Sequence, residues 1–151
     1  MLHPAPTTRI DPKLARGVLK ESVTATATKP AHVRLGFANT SYVLYLLPTA
    51  PVKAEPGEKV LGTIAARARR VDQVPSGGKF VEPVIGRPRR VQGRVIGHVT
   101  QDGRDKLVVD AGVPIHFTLT DGRQHAKDFA VGDMVSFDVL DGASFTTKAD
   151  A

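Results

Sequence analysis

The chain has no cysteine, no tryptophan, two tyrosines and six phenylalanines in 151 residues. Without cysteine there can be no disulfide and no thiolate metal site. With so few aromatics, any core must be aliphatic. No apolar run approaches the roughly 18 residues of a membrane span, and the opening MLHPAPTTRIDPK lacks the uninterrupted apolar stretch of a signal peptide. The expectation is a cytoplasmic protein with no membrane partner. Catalytic signatures are missing as well: there is no G-x-S-x-G, no H-E-x-x-H and no phosphate loop, since PSGGK at 75–79 lacks the spacing and reads as a turn. His98, His116 and His125 are scattered and read as surface or turn residues rather than metal ligands. The sequence therefore points to a non-enzymatic protein with no cofactor and no metal, and it leaves the oligomeric state open.

What is present begins with charge. The net charge is +6, but its distribution matters more than its size. Residues 61–100 hold eight Arg or Lys against Asp72 and Glu82, whereas residues 101–151 hold five bases against nine acids, every one an Asp. A basic middle followed by an acidic third has two readings. One is a face that binds a polyanion, nucleic acid foremost. The other is that the two stretches pair across a sheet and neutralise each other.

The most informative stretch is RPRRVQGRVIGHVT, 87–100. Val91, Val95 and Val99 fall on one side with Gly93 and Gly97 between them; Arg90, Gln92, Arg94 and His98 fall on the other, interrupted by Ile96. This alternation predicts a half-buried strand with a cationic outer face. The glycines suit the coiling that a small barrel demands.

Elsewhere the chain reads as follows. Asp11-Pro12 has the form of a helix start, and Leu14, Val18 and Leu19 supply an apolar stripe, so a short helix is expected over Pro12–Glu21. Residues 22–31 read as an extended linker or a weak edge strand. From His32 the pattern is β: Val33, Leu35 and Phe37 alternate inward, and SYVLYLLP at 41–48 reads as a strand covered on both faces, with a short helix as the alternative. Residues 48–59 form a proline-rich loop, Val60–Val74 a strand, and KFVEPVIG a short strand that Pro83 places at an edge. The last third alternates most clearly, with Ile115, Phe117, Val135, Phe137 and Val139 inward and Asp-Gly turns between strands. Arg-Arg-Val occurs at 69–71 and again at 89–91. The two pairs could lie on adjacent strands, which is costly unless an anion or an acid intervenes.

Residues 112–142, GVPIHFTLTDGRQHAKDFAVGDMVSFDVLDG, resemble the second half of a cold-shock-type OB-fold. His116 and Phe117 fall where that family has its strand-three His and Phe, and 131–142 follow the rhythm of its closing strand. The resemblance implies an OB-type barrel and a nucleic-acid ligand. The family's aromatic glycine-rich stretch is missing here: QDGRDKLVVDAG has no Phe, Tyr or Trp.

The combined expectation is a mainly β protein, a small OB-like or related β-barrel with a short N-terminal helix and flexible termini. Residues 1–31 form tail, helix and linker, 32–147 the barrel, and 148–151 a C-terminal tail. Its expected ligand is RNA or single-stranded DNA, held by Arg67, Arg69, Arg89, Arg90 and Arg94 with Gln92 and His98 beside them. Arginine suits that role because its planar fork donates two hydrogen bonds to one phosphate and keeps its charge. The alternative is a protein-interaction or assembly module whose basic face meets an acidic partner.

Overall fold

The computed structural model describes residues 11–101 and 103–148. It is mainly β, with one 3-10 turn at Ala126–Asp128 as the helical content among the described residues. The described residues form twelve strands in succession: β1 (Ala15–Val23), β2 (His32–Phe37), β3 (Val43–Pro48), β4 (Lys59–Ala68), β5 (Asp72–Val74), β6 (Phe80–Glu82), β7 (Ile85–Gly86), β8 (Arg90–Gln101), β9 (Arg104–Asp110), β10 (Pro114–Leu119), β11 (Met134–Asp138) and β12 (Ser144–Thr147).

The expected helix at Pro12–Glu21 is absent, and most of that stretch is strand β1. Its start signal is real but local. Asp11 Oδ1 accepts from the Lys13 N–H at 2.9 Å and the Leu14 N–H bonds to Asp11 O at 3.1 Å, closing one turn. The turn does not propagate, because a helical nucleus is costly and Gly17 weakens it. In the strand, Ala15, Gly17 and Leu19 alternate inward and are buried, and a Cβ at Gly17 would lie 3.0 Å from Gly36 O. The same glycine that penalises a helix permits the close pairing of β1 with β2.

Five strands close into a barrel. β1 pairs antiparallel with β2, β2 with β3, β3 parallel with β12, β12 antiparallel with β4, and β4 antiparallel with β1. A second ring grows from the far end of β4. Residues 65–68 pair parallel with β10, β10 pairs with β9, β9 with β8, and β8 with β11. β11 returns to β4 through the Ala68–Val139 bridge, flanked by Arg69 N–H to Asp138 O and Leu140 N–H to Arg67 O, both 2.9 Å.

The two rings repeat one another in register. In the first, Leu19 donates to Glu58 O (2.9 Å) and accepts from the Gly57 N–H (2.7 Å); in the second, Val95 donates to Asp133 O and accepts from the Gly132 N–H, both 2.8 Å. A bulge follows each of these residues, between Leu19 and Glu21 and between Val95 and Gly97. Glu58 and Asp133 each accept a backbone N–H three residues upstream, from Glu55 and Ala130. Arg34 pairs with Tyr45 in the first ring as Val108 pairs with His116 in the second. The swap lies in the fifth position: β4 runs on from the first ring to complete the second, and β12, following β11, completes the first.

Both rings share one continuous core. Val91, Val95, Ile115, Phe117, Val135, Phe137 and Val139 are all buried, as the alternation predicts, and Phe117 meets Phe137 edge to face at 4.6 Å. Residues 60–74, read as a single strand, break at Arg69–Val71, where the Gln124 side chain bonds both the N–H and the carbonyl of Val71. In β3, Leu44 and Leu46 are buried while Val43, Tyr45 and Leu47 are only half-covered, so the strand has one inner face rather than two.

Candidate nucleic-acid interface

The outer face of β8 has the residues its alternation predicts: Arg90, Arg94 and His98 are exposed and Gln92 half-buried. Each of the four makes a polar contact inside the molecule. Arg90 donates to the Asp138 carboxylate at 2.8 Å and to Ser136 Oγ at 2.9 Å. Gln92 Nε2 donates to Gly78 O at 2.8 Å, Arg94 to Gly132 O at 2.7 Å, and Arg67 to Asp141 O at 3.0 Å. His98 Nε2 lies 2.6 Å from Phe129 O.

The Arg-Arg pairs do come close. Arg69 bonds the backbone of Asp138, and Arg89 O accepts from the Val139 N–H, so the pairs flank one stretch of chain. The intervening acid is Asp138. Lys79 with Asp110 (2.6 Å), Arg90 with Asp138 and Arg87 with Asp141 tie the basic middle to the acidic third. Of these, Arg90–Asp138 pairs across the β8–β11 ladder, whereas Lys79 and Arg87 reach their partners from loops. Among the described residues, the Arg69 and Arg89 guanidinium groups have no hydrogen bond or ion pair.

Arg89 opens onto a different surface. A groove of about 690 Å³ runs between the β2–β3 face and the loop from β6 to β8. Its floor comes from the outward positions of two paired strands, His32 and Arg34 on β2 and Tyr45 and Leu47 on β3. Lys29 and Pro30 close one end, Pro83, Ile85, Arg87 and Arg89 form one wall, and the Asp141–Ala143 turn forms another. The Arg34 guanidinium lies over the Tyr45 ring, 4.4 Å from its centroid, and the His32 ring stacks with Tyr45 at 5.3 Å and 29°. Such a cation–aromatic contact contributes roughly 0.5–1 kcal/mol at an exposed site. Glu21 holds Arg34 in place at 3.3 Å. The lining has four permanent cations, Lys29, Arg34, Arg87 and Arg89, against one carboxylate, Asp141.

Of the seven residues singled out from sequence, Arg89 lines this groove and Arg67 approaches it through Asp141; Arg90, Gln92, Arg94 and His98 lie on β8, and Arg69 at the end of β4. Sequence reasoning missed Lys29, His32, Arg34, Tyr45 and Arg87. The signal for His32 and Arg34 was their alternation with Val33 and Leu35. Tyr45 was hidden because its strand read as covered on both sides.

A second, smaller cleft of about 470 Å³ lies against the other ring, lined by Thr49, Thr63, Thr146, Gln101, Lys106 and His116 among others. His116 is buried, and its Nε2 sits 2.8 Å from Lys13 O. Burial pushes its imidazole below the ordinary value, aided by Lys106 and Lys13 and opposed by the bond to Lys13 O and by Asp11. In the loop before the 3-10 turn, the Arg123 guanidinium grips Asp121 at 2.8 and 3.0 Å and holds its carboxyl well below the usual range. Among the described residues no three His, Asp or Glu side chains gather as metal ligands, so His98, His116 and His125 do not converge. Nor is any helix among them long and apolar enough to cross a membrane.

Residues 112–142, which resemble a cold-shock-type half-barrel, do form the third and fourth strands of the second ring. Phe117 faces the core and His116 lies beneath Lys13, so neither presents a ring to a ligand. No protein-family model, no curated protein and no solved structure matches the chain.

Proposed function

We propose that each ring is an OB-like barrel and that the groove over β2 and β3 binds single-stranded nucleic acid without catalysing a reaction. The strand order of each ring supports the first part: in ring order one pairs with two, two with three, three in parallel with five, and five with four. In OB barrels the face of strands two and three takes up oligonucleotides. The observation that carries the second part is the stack of Arg34 on Tyr45 beside His32, in a groove edged by Lys29, Arg87 and Arg89. Proteins that hold single strands combine a cationic track for phosphates with flat groups on which bases stack, and guanidinium planes serve as well as aromatic rings. On the outer face of β8, Arg90 and Arg94 are engaged within the molecule, whereas the groove carries Arg89 with its guanidinium unengaged among the described residues.

The test is fluorescence anisotropy with labelled, unstructured oligonucleotides of about ten nucleotides, at several salt concentrations. Binding should weaken with salt, with each phosphate contact contributing roughly 0.7 to the log–log slope. Changing Lys29 and Arg89 together to Ala should lower that slope by about 1.4. Absence of binding at low salt would overturn the proposal.

One observation favours the protein-partner reading instead. Val84 and Ile85, beside the groove, are 44% and 60% exposed, and such apolar surface next to cations also suits an acidic peptide. Binding of an acidic peptide with no response to oligonucleotides would select it.

A further inference from the structure

Leu47 on the groove's floor stands in register with Ser144, which lines the smaller cleft. Just past β3, Thr49 continues the parallel ladder with β12 through its N–H to Phe145 O at 3.1 Å. Its hydroxyl lies 2.8 Å from that of Thr146, and Thr146 stands in register with Thr63 on β4. Three threonines therefore form a row across three neighbouring strands, and all three line the smaller cleft. Across from them stand Lys106, whose Nζ reaches Gln101 Oε1 at 3.1 Å, and His116.

One side of this cleft is the second ring's counterpart of the groove's floor. Lys106 and His116 occupy the register positions that His32 and Tyr45 hold in the first ring. The first ring thus carries both the flat rings, on β2 and β3, and the hydroxyl row, across β3, β12 and β4, and the row faces Lys106 and His116 of the second ring. From Tyr45 to Thr49 an extended chain spans at most roughly 13 Å, within the reach of one short oligonucleotide.

The chemistry of the row is specific. A hydroxyl has one donor and two acceptor sites. Whichever of Thr49 and Thr146 donates to the other, the pair keeps one free O–H and spare lone pairs, and Thr63 adds a third hydroxyl. A ribose 2′-hydroxyl is both donor and acceptor, and it is the group by which a protein tells RNA from DNA. Among the described residues Lys106 is the cation of this wall, and it suits the adjoining phosphate.

Resting on the single-strand reading of the groove, we infer that the threonine row takes the ribose 2′-hydroxyls of the strand whose bases lie at Tyr45, so that the ligand is RNA rather than DNA. Labelled RNA and DNA of the same ten-nucleotide sequence, titrated side by side, should differ by about tenfold, the effect of one or two added hydrogen bonds. In the Thr63→Val/Thr146→Val protein, RNA affinity should fall to that of DNA while DNA affinity stays constant. A ligand-side scan, replacing one ribose at a time by deoxyribose, asks the same question of the unaltered protein; the loss should concentrate at one or two positions. Equal affinity for RNA and DNA, a scan with no sensitive position, or equal loss for both ligands in the double variant would overturn the inference and leave the groove's reading intact. Failure of both ligands to bind at low salt would remove the two together.

Discussion

Arg90 and Asp138 face one another across the β8–β11 ladder, with nitrogen and carboxylate oxygen 2.8 Å apart. The pair sits on the surface that looks most like a polyanion site in sequence, and it satisfies that surface from within. Its side chains are 44% and 60% exposed, so its contribution to stability is at most about 1 kcal/mol. Replacing Arg90 and Arg94 together by Ala should therefore leave the salt slope of oligonucleotide binding nearly unchanged, whereas Arg89→Ala alone should lower it by roughly 0.7. An anisotropy salt series on both proteins checks this.

Asp141 restrains the groove. Its carboxylate pairs with Arg87 on the lining, so Asp141→Asn frees a cation where phosphates are expected. Affinity at low salt should rise and the slope steepen by roughly 0.7. Because both side chains are exposed, melting should move little. Weaker binding in the variant would show that phosphates do not pass this wall.

Tyr45 and Leu44 are chain neighbours on opposite faces of β3 and should separate binding from folding. Tyr45→Ala removes a stacking surface worth about 1–3 kcal/mol per base, a loss of roughly five- to 150-fold in affinity, with a modest effect on melting. Leu44 is fully buried, so Leu44→Ala should cost about 2–5 kcal/mol of stability. Denaturation curves and anisotropy on the two variants distinguish the effects.

Gly93 of β8 packs directly against the backbone of Asp110 at the end of β9. A Cβ there would collide with the Asp110 carbonyl, which is backbone and cannot rotate away. Gly93→Ala should destabilise by about 1–3 kcal/mol. Gly78→Ala, where a Cβ meets nothing within 4 Å, should stay within about 0.5 kcal/mol of the parent. Urea midpoints measure both.

The buried His116 makes stability depend on pH in a fixed direction. Its folded-state pKa is lowered, first by burial and then by Lys106 and Lys13. As pH falls below the ordinary value of 6.5, the unfolded chain takes up a proton that the folded chain resists, and stability drops until the folded value is passed. Above that range its contribution is constant. Asp11 and the bond to Lys13 O oppose the shift without reversing it. Urea midpoints between about pH 7.5 and 5 should fall with acid in the parent, and less in His116→Gln.

Alternation made the second ring legible. Val91, Gly93 and Val95, and likewise Ile115 with Phe117, have a period of two that only a strand satisfies. The first strand misled because Leu14, Val18 and Leu19 fit a helical stripe while Ala15 and Gly17, which it buries beside Leu19, are too small to weigh in a hydrophobic pattern. The duplication was visible only as PGEKV and VGDMV, short turns whose likeness gains meaning once Leu19 and Val95 are seen to bond them identically. The groove was illegible for a different reason. Its residues come from β2, β3, the β6–β8 connection and the turn before β12, and nothing in the chain order states that these meet.

The crossing of β4 from one ring to the other bears on how the molecule is made. The first four strands of the first ring leave the ribosome early, yet their partner β12 is synthesised only after the whole second ring. Until then β3 and β4 carry unsatisfied edges, the kind of surface on which chains stick to one another. The far half of β4, by contrast, is waiting when β10 arrives. The later-encoded ring can therefore close first, and the earlier one locks shut behind it.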